Sequence, residues 1–160
     1  MAKSSPELTP RRGNVRLPDL TLNVQYPGGS DDAPSRSDVR RWVRATCTTP
    51  AVVTVRFVDE IEAQTLNASY RDKDYATNVL SFPYTSGGLL AGDLVLCKAV
   101  VAREALAQRK LLNAHYAHLV VHGLLHLQGF DHERSAKDAK IMEAKEIEIL
   151  ASLEISDPYN

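Results

Sequence analysis

The chain has little that would tie it to a membrane, an oxidising compartment or a bulk polyanion. Among its 160 residues are only two cysteines, Cys47 and Cys97, with no Cys-x-x-Cys spacing, and no basic start runs into an apolar signal core. A reduced, cytoplasmic protein is therefore expected. No apolar run approaches the ~20 residues of a membrane span, so no membrane partner is expected. The formal net charge is only -1, which excludes holding nucleic acid through overall positive charge. The charge is nonetheless uneven, with 15 basic and 12 acidic residues over 1–120 against 4 basic and 8 acidic over 121–160. A polyanion would be held locally, at particular arginines. Internal repeats are absent, and at 44% hydrophobic content the chain is sufficient for one domain with its own core.

What the chain does have is a dense histidine block. From His122 to His132 it reads His-Gly-Leu-Leu-His-Leu-Gln-Gly-Phe-Asp-His. Helical side chains at i and i+4 lie one turn apart on one face, so His122 and His126 can share an ion. Continuing the helix would carry a third ligand ~12 Å away, whereas zinc needs each nitrogen at ~2.0–2.1 Å. The chain must turn, and Gly129 can take the left-handed conformation that ends a helix and lets His132 swing back. The pattern predicts one zinc per chain on His122, His126 and His132, with an open fourth position of the catalytic kind. Three neutral ligands leave the ion its full charge, which favours ionisation of a bound water. The spacing resembles the metzincin protease signature, except that Gly123 stands where the general-base glutamate would be.

Elsewhere the pattern predicts an α/β (α+β) domain in which about four strands form a mixed sheet packed with about five helices. Residues 1–14 are polar, basic and proline-bearing, a flexible arm ahead of a single domain over 15–160. Leu20, Leu22, Val24 and Tyr26 alternate as in a half-buried strand. Ser37 is expected to cap a short helix carrying Val39, Trp42 and Val43. The β-branched run 51–58 is the clearest strand, and a helix follows over about 59–70. Two short strands are expected over 78–82 and 93–96, separated by a loop with Pro83, Gly87 and Gly88. A helix follows Cys97 to about Lys110. The next, over about 113–128, is apolar nearly all round and so buried, and it carries the first two histidines. Ser135 with Asp138 opens a last helix with Ile141, Met142, Ile147 and Leu150 inward.

Around the trio, His118 lies one turn before His122, placed to orient a ligand or meet substrate; His115 is expected nearer the surface. Asp131, beside His132, is placed either to orient an imidazole or to remain a solvated turn carboxylate. Arg71 follows a helix and precedes a charged turn, and a guanidinium there is a candidate clamp on a phosphodiester.

Four segments together, Leu-Asn-x-x-Tyr-Arg-x-Lys-Asp with Thr-Asn-Val-Leu-Ser-Phe-Pro at 66–83, Gly-Asp-Leu-Val-Leu-Cys at 92–97, the histidine block at 122–132 and Asp-Pro-Tyr at 157–159, resemble the bacterial YbeY family over about residues 50–160. The resemblance implies a zinc-dependent endoribonuclease acting on single-stranded RNA. It further implies a role in 16S ribosomal RNA 3′-end maturation and ribosome quality control, with the small ribosomal subunit and its assembly factors as partners. Carried onto this chain, it implies His122, His126 and His132 as ligands and Arg71 as the essential arginine. Ala76 departs from the family, where proline commonly precedes the threonine. Two alternatives stand beside this reading: a zinc metalloprotease-like hydrolase, disfavoured by Gly123, and a non-catalytic ribosome assembly factor with structural zinc, disfavoured by the want of an evident fourth ligand.

Overall fold

In the computed structural model, which describes residues 17–73, 75–84 and 89–160, nine elements follow one another. They are β1 (Leu20–Gln25), α1 (Arg36–Thr46), β2 (Ala51–Val58), α2 (Glu60–Arg71), β3 (Val79–Pro83), β4 (Leu90–Cys97), α3 (Lys98–Ala107), α4 (Leu112–Leu127) and α5 (Ala136–Ser152). The arm expected at 1–14 and the glycines at 87 and 88 lie outside the described residues. The strands form one sheet in the order β1-β2-β4-β3. β1, β2 and β4 run parallel, and β3 is antiparallel to β4. This is the four-stranded mixed sheet with five helices that the sequence patterning predicts.

The parallel strands explain the β-branched run at 51–58, since β2 sits between β1 and β4 and its alternate residues Val53, Val55 and Phe57 are at most 1% exposed. They share the main core with Trp42 and Val43 of α1, Leu94 and Leu96 of β4, a long stretch of α4, and Met142 and Leu150 of α5. A smaller cluster of Val58, Ala63, Leu80, Val95 and Cys97 forms under α2, and Ala76 packs against it. Each large side chain removed from water in this way stabilises the fold by roughly 1.5–3 kcal/mol.

Local chemistry shifts several boundaries. Ser35, not Ser37, caps α1: extended after Pro34, it accepts a hydrogen bond from the Asp38 amide at 3.1 Å, which places Ser37 inside the first turn. β4 is longer than the expected 93–96 because it follows β2 residue for residue from Leu90 to Cys97. α3 stops at Ala107, short of Lys110, because Arg109 takes a left-handed conformation (φ 56°) and the Lys110 amide folds back onto the Ala105 carbonyl. A Schellman turn without glycine leaves no compositional signal. On α5, Ser135 caps as expected. Ile141, however, is 47% exposed and Ile147 only half-buried, because the buried stripe is Met142, Glu146, Ile149 and Leu150.

Candidate metal centre and its cleft

α4 is the element on which the site is built. It packs against α1, α3, α5, β3 and β4, so its apolar residues are buried on nearly every side while His122 and His126 reach a cleft. After Leu127 the chain makes a Schellman turn: the Gly129 amide donates to the His126 carbonyl at 3.0 Å and the Phe130 amide to the Leu125 carbonyl at 3.1 Å. Gly129 has the positive φ, +102°, expected of it. Phe130 then packs on the core, and His132 returns to the other two imidazoles.

The three rings meet with centroids 4.9, 4.9 and 5.0 Å apart, and one nitrogen from each lies within 4.8 Å of the others. His126 Nε2 is 3.1 Å from His132 Nδ1. Two nitrogens bound tetrahedrally at 2.0–2.1 Å from one zinc would be ~3.3 Å apart. The donor set and its spacing therefore fit a zinc-sized ion. Burial, followed by the neighbouring His122 and His132, lowers the pKa of His126 and keeps its ring neutral with a lone pair to offer.

A buried carboxylate stands behind the trio. Glu146 of α5 is 0% exposed; its Oε2 lies 2.6 Å from His122 Nδ1, and its Oε1 lies 2.9 Å from His118 Nε2 and 2.5 Å from the Tyr159 hydroxyl. Burial raises its pKa, but the hydrogen bonds from His118, His122 and Tyr159 outweigh that and hold it at about 2. The same surroundings, burial first and then the Glu146 carboxylate, push the Tyr159 phenol up. His118 therefore meets a carboxylate and a phenol beside the trio. Asp131 instead serves the turn: Oδ1 accepts from the Glu133 amide at 2.8 Å, and Oδ2 is 3.7 Å from Arg134 Nε. Among the described residues it bonds no imidazole.

His115 is not near the surface. It is 4% exposed, with Nε2 2.9 Å from Glu104 Oε1, and Glu104 also accepts from Asn78 Nδ2 at 3.1 Å. Burial, the largest influence, lowers its pKa against the opposing pull of Glu104.

Arg71, the last residue of α2, lines the same cleft of about 620 Å³ as His118, His122, His126 and His132, together with Asn78 and Tyr159. The helix ends there because Asp72 adopts a left-handed conformation (φ 57°). Buried Asn67 fastens the following turn by donating from Nδ2 to the Tyr75 carbonyl at 2.7 Å. Arg71 itself is exposed and forms no hydrogen bond or ion pair among the described residues. α2 and α4, far apart in sequence, thus bring a guanidinium and a histidine trio to one cleft.

Residues 32–154 match the family model described as Endoribonuclease YbeY. The chain belongs to the YbeY family. It is 56% identical over 151 residues to the endoribonuclease YbeY of Delftia acidovorans, covering 91% of this chain and 99% of that one. With the endoribonuclease YbeY of Thiobacillus denitrificans it shares 53% over 145 residues, covering 89% and 98%. A Thermotoga maritima protein solved in solution superposes with a TM-score of 0.55 at 25% identity, covering 88% of this chain and 99% of that one.

Within this YbeY domain, Gly123 has a packing reason. A Cβ there would stand 2.7 Å from Leu94 Cδ2 and 3.3 Å from Ser81 Oγ. α4 is pressed onto the sheet at the position where a metzincin carries its glutamate, so that residue faces β4 rather than the cleft. Patterning alone missed Glu146, which occupies an apolar position of α5 four residues after Met142 and three before Ile149. A charged residue on the buried stripe of a helix is the signal that points to it. Tyr159 appeared only as part of a resembling segment, and its contact with Glu146 depends on the chain returning after α5.

Proposed function

We propose that this YbeY-family protein is a zinc-dependent endoribonuclease that hydrolyses phosphodiester bonds in single-stranded RNA. Its substrates in the cell are proposed to be ribosomal RNA, with the 3′ end of 16S RNA foremost, in maturation and ribosome quality control in the cytoplasm. The small ribosomal subunit and its assembly factors are the proposed partners. One observation carries the reading: a histidine trio at metal-binding spacing and an exposed arginine share one cleft, in a chain whose relatives are named endoribonucleases.

His122, His126 and His132 are the proposed ligands. Zinc, when bound, supplies Lewis-acid polarisation of a phosphoryl oxygen and a bound water that ionises near neutral pH. Arg71, without a hydrogen-bond or ion-pair partner among the described residues and lining the cleft, is positioned to grip two phosphate oxygens and neutralise the charge that builds on them. The net charge of -1 provides no general attraction for RNA, so binding depends on this local cation. A cleft of about 620 Å³ is the size of a small-ligand site. It has room for nucleotides of a single strand, whose bases can splay.

The protease alternative is disfavoured at position 123, where the metzincin pattern has its glutamate and this chain has a glycine that faces the sheet. The test is cleavage of a defined single-stranded RNA, its duplex form and casein, each with and without a chelator. The proposal expects single-stranded RNA alone to be cut, and only without chelator. Chelator-sensitive casein cleavage without RNA cleavage would select the protease reading, and no cleavage of any substrate the assembly-factor reading.

A further inference from the structure

Glu146 is a carboxyl group with no access to water, set in the core of the domain where a charge is costly to bury. That cost is met only where every lone pair has a strong partner. Its three partners are specific. His122 Nδ1 meets Oε2 at 2.6 Å, while His118 Nε2 at 2.9 Å and the Tyr159 hydroxyl at 2.5 Å meet Oε1. The tyrosine is itself fixed, its amide donating to Asp157 Oδ1 at 2.8 Å and the adjacent Pro158 carbonyl accepting from Lys110 Nζ at 2.8 Å. Three side chains able to donate converge on the two carboxyl oxygens, which places the carboxyl as acceptor and the His122 nitrogen facing it as donor.

We propose that Glu146 is a positioning residue that locks His122 in the Nδ1–H tautomer, with Tyr159 and His118 fixing the carboxylate, so that Nε2 presents its lone pair toward His126 and His132. This deepens the proposed metal site and rests on that reading for its consequence. A neutral imidazole free to choose its tautomer would spend part of its time with Nε2 protonated and unable to bind. A ring free to turn would also add ordering entropy to each binding event. Hydrogen-bonded carboxylates behind metal-ligating histidines typically contribute ~10–100-fold in affinity. The group of His118, His122 and Glu146 also has three donors within 4.8 Å, but the 2.6 Å contact between His122 and Glu146 is a hydrogen bond. Two ligands of one zinc would stand farther apart, near ~3.3 Å.

Two measurements test this. In metal-free wild-type protein at pH 8, two-bond nitrogen–proton correlations of the imidazoles report which nitrogen of His122 carries the hydrogen. The proposal expects Nδ1, and a proton on Nε2 would overturn it. In Glu146→Gln, whose side chain keeps the volume, zinc competition against a chromophoric chelator should show affinity lowered ~10–100-fold with the circular dichroism of the fold retained. Unchanged affinity would overturn the proposal. Should Glu146→Gln fail to fold, the wild-type tautomer still decides. Wild-type protein that shows the Nδ1–H tautomer yet binds no zinc would sustain the positioning by Glu146 and sink the ligand trio; zinc held equally by wild type and Glu146→Gln would do the reverse.

Discussion

His126 Nε2 stands 3.1 Å from His132 Nδ1 although the helix that carries the first ends before the second. The contact depends on Gly129, whose φ of +102° is a conformation L side chains rarely adopt. No atom of the described residues lies within 4 Å of a Cβ built there, so the requirement is one of backbone conformation and not of space. Gly129→Val should cost about 1–3 kcal/mol in denaturant unfolding and weaken zinc binding as His132 is displaced. Stability and zinc affinity both equal to wild type would show that the turn does not position the third histidine.

Gly123 makes the opposite case, a glycine needed for space. With Leu94 Cδ2 at 2.7 Å from a Cβ at that site, Gly123→Ala should lose about 1–3 kcal/mol through overpacking. Gly123→Glu, which completes the metzincin pattern in sequence, should lose more, because it adds a carboxylate without a partner between α4 and β4. Equilibrium unfolding measures both. A Gly123→Glu protein of wild-type stability that cleaves casein would mean that position 123 faces the cleft after all.

Arg71 is exposed and lies away from the core, so its removal should leave fold and zinc content intact. Arg71→Ala should lower single-turnover cleavage of single-stranded RNA ~100-fold or more, as for the loss of a group that stabilises transition-state charge. Arg71→Lys should recover only part of this, since a point charge lacks the guanidinium fork. Wild-type rates in the alanine variant would reduce Arg71 to a surface charge.

The legible features are those whose physics is local. The i, i+4 pair on α4, the glycine that reverses the chain, the β-branched run of β2 and the cap at Ser135 all follow from spacing and residue type within a few positions. Contacts between distant elements were not legible in that way. His115 is buried because Glu104 of α3 comes beneath it, and Glu146 is paired because α5 lies against α4 and the chain then brings Tyr159 back. Arg109 ends α3 in a conformation its side chain does not advertise. Arg71 entered as a candidate clamp, and the assembly of β3, α2 and α4 is what sets it in the cleft with the histidines.

The central claim, that metal on the histidine trio drives RNA cleavage, is tested most directly by returning zinc stepwise to chelator-stripped protein while following cleavage of an end-labelled single-stranded RNA. The account predicts that the rate rises in proportion to bound zinc and saturates at one ion per chain, and that His126→Ala neither retains zinc nor regains activity. Full cleavage by zinc-free protein, or by His126→Ala, would contradict it.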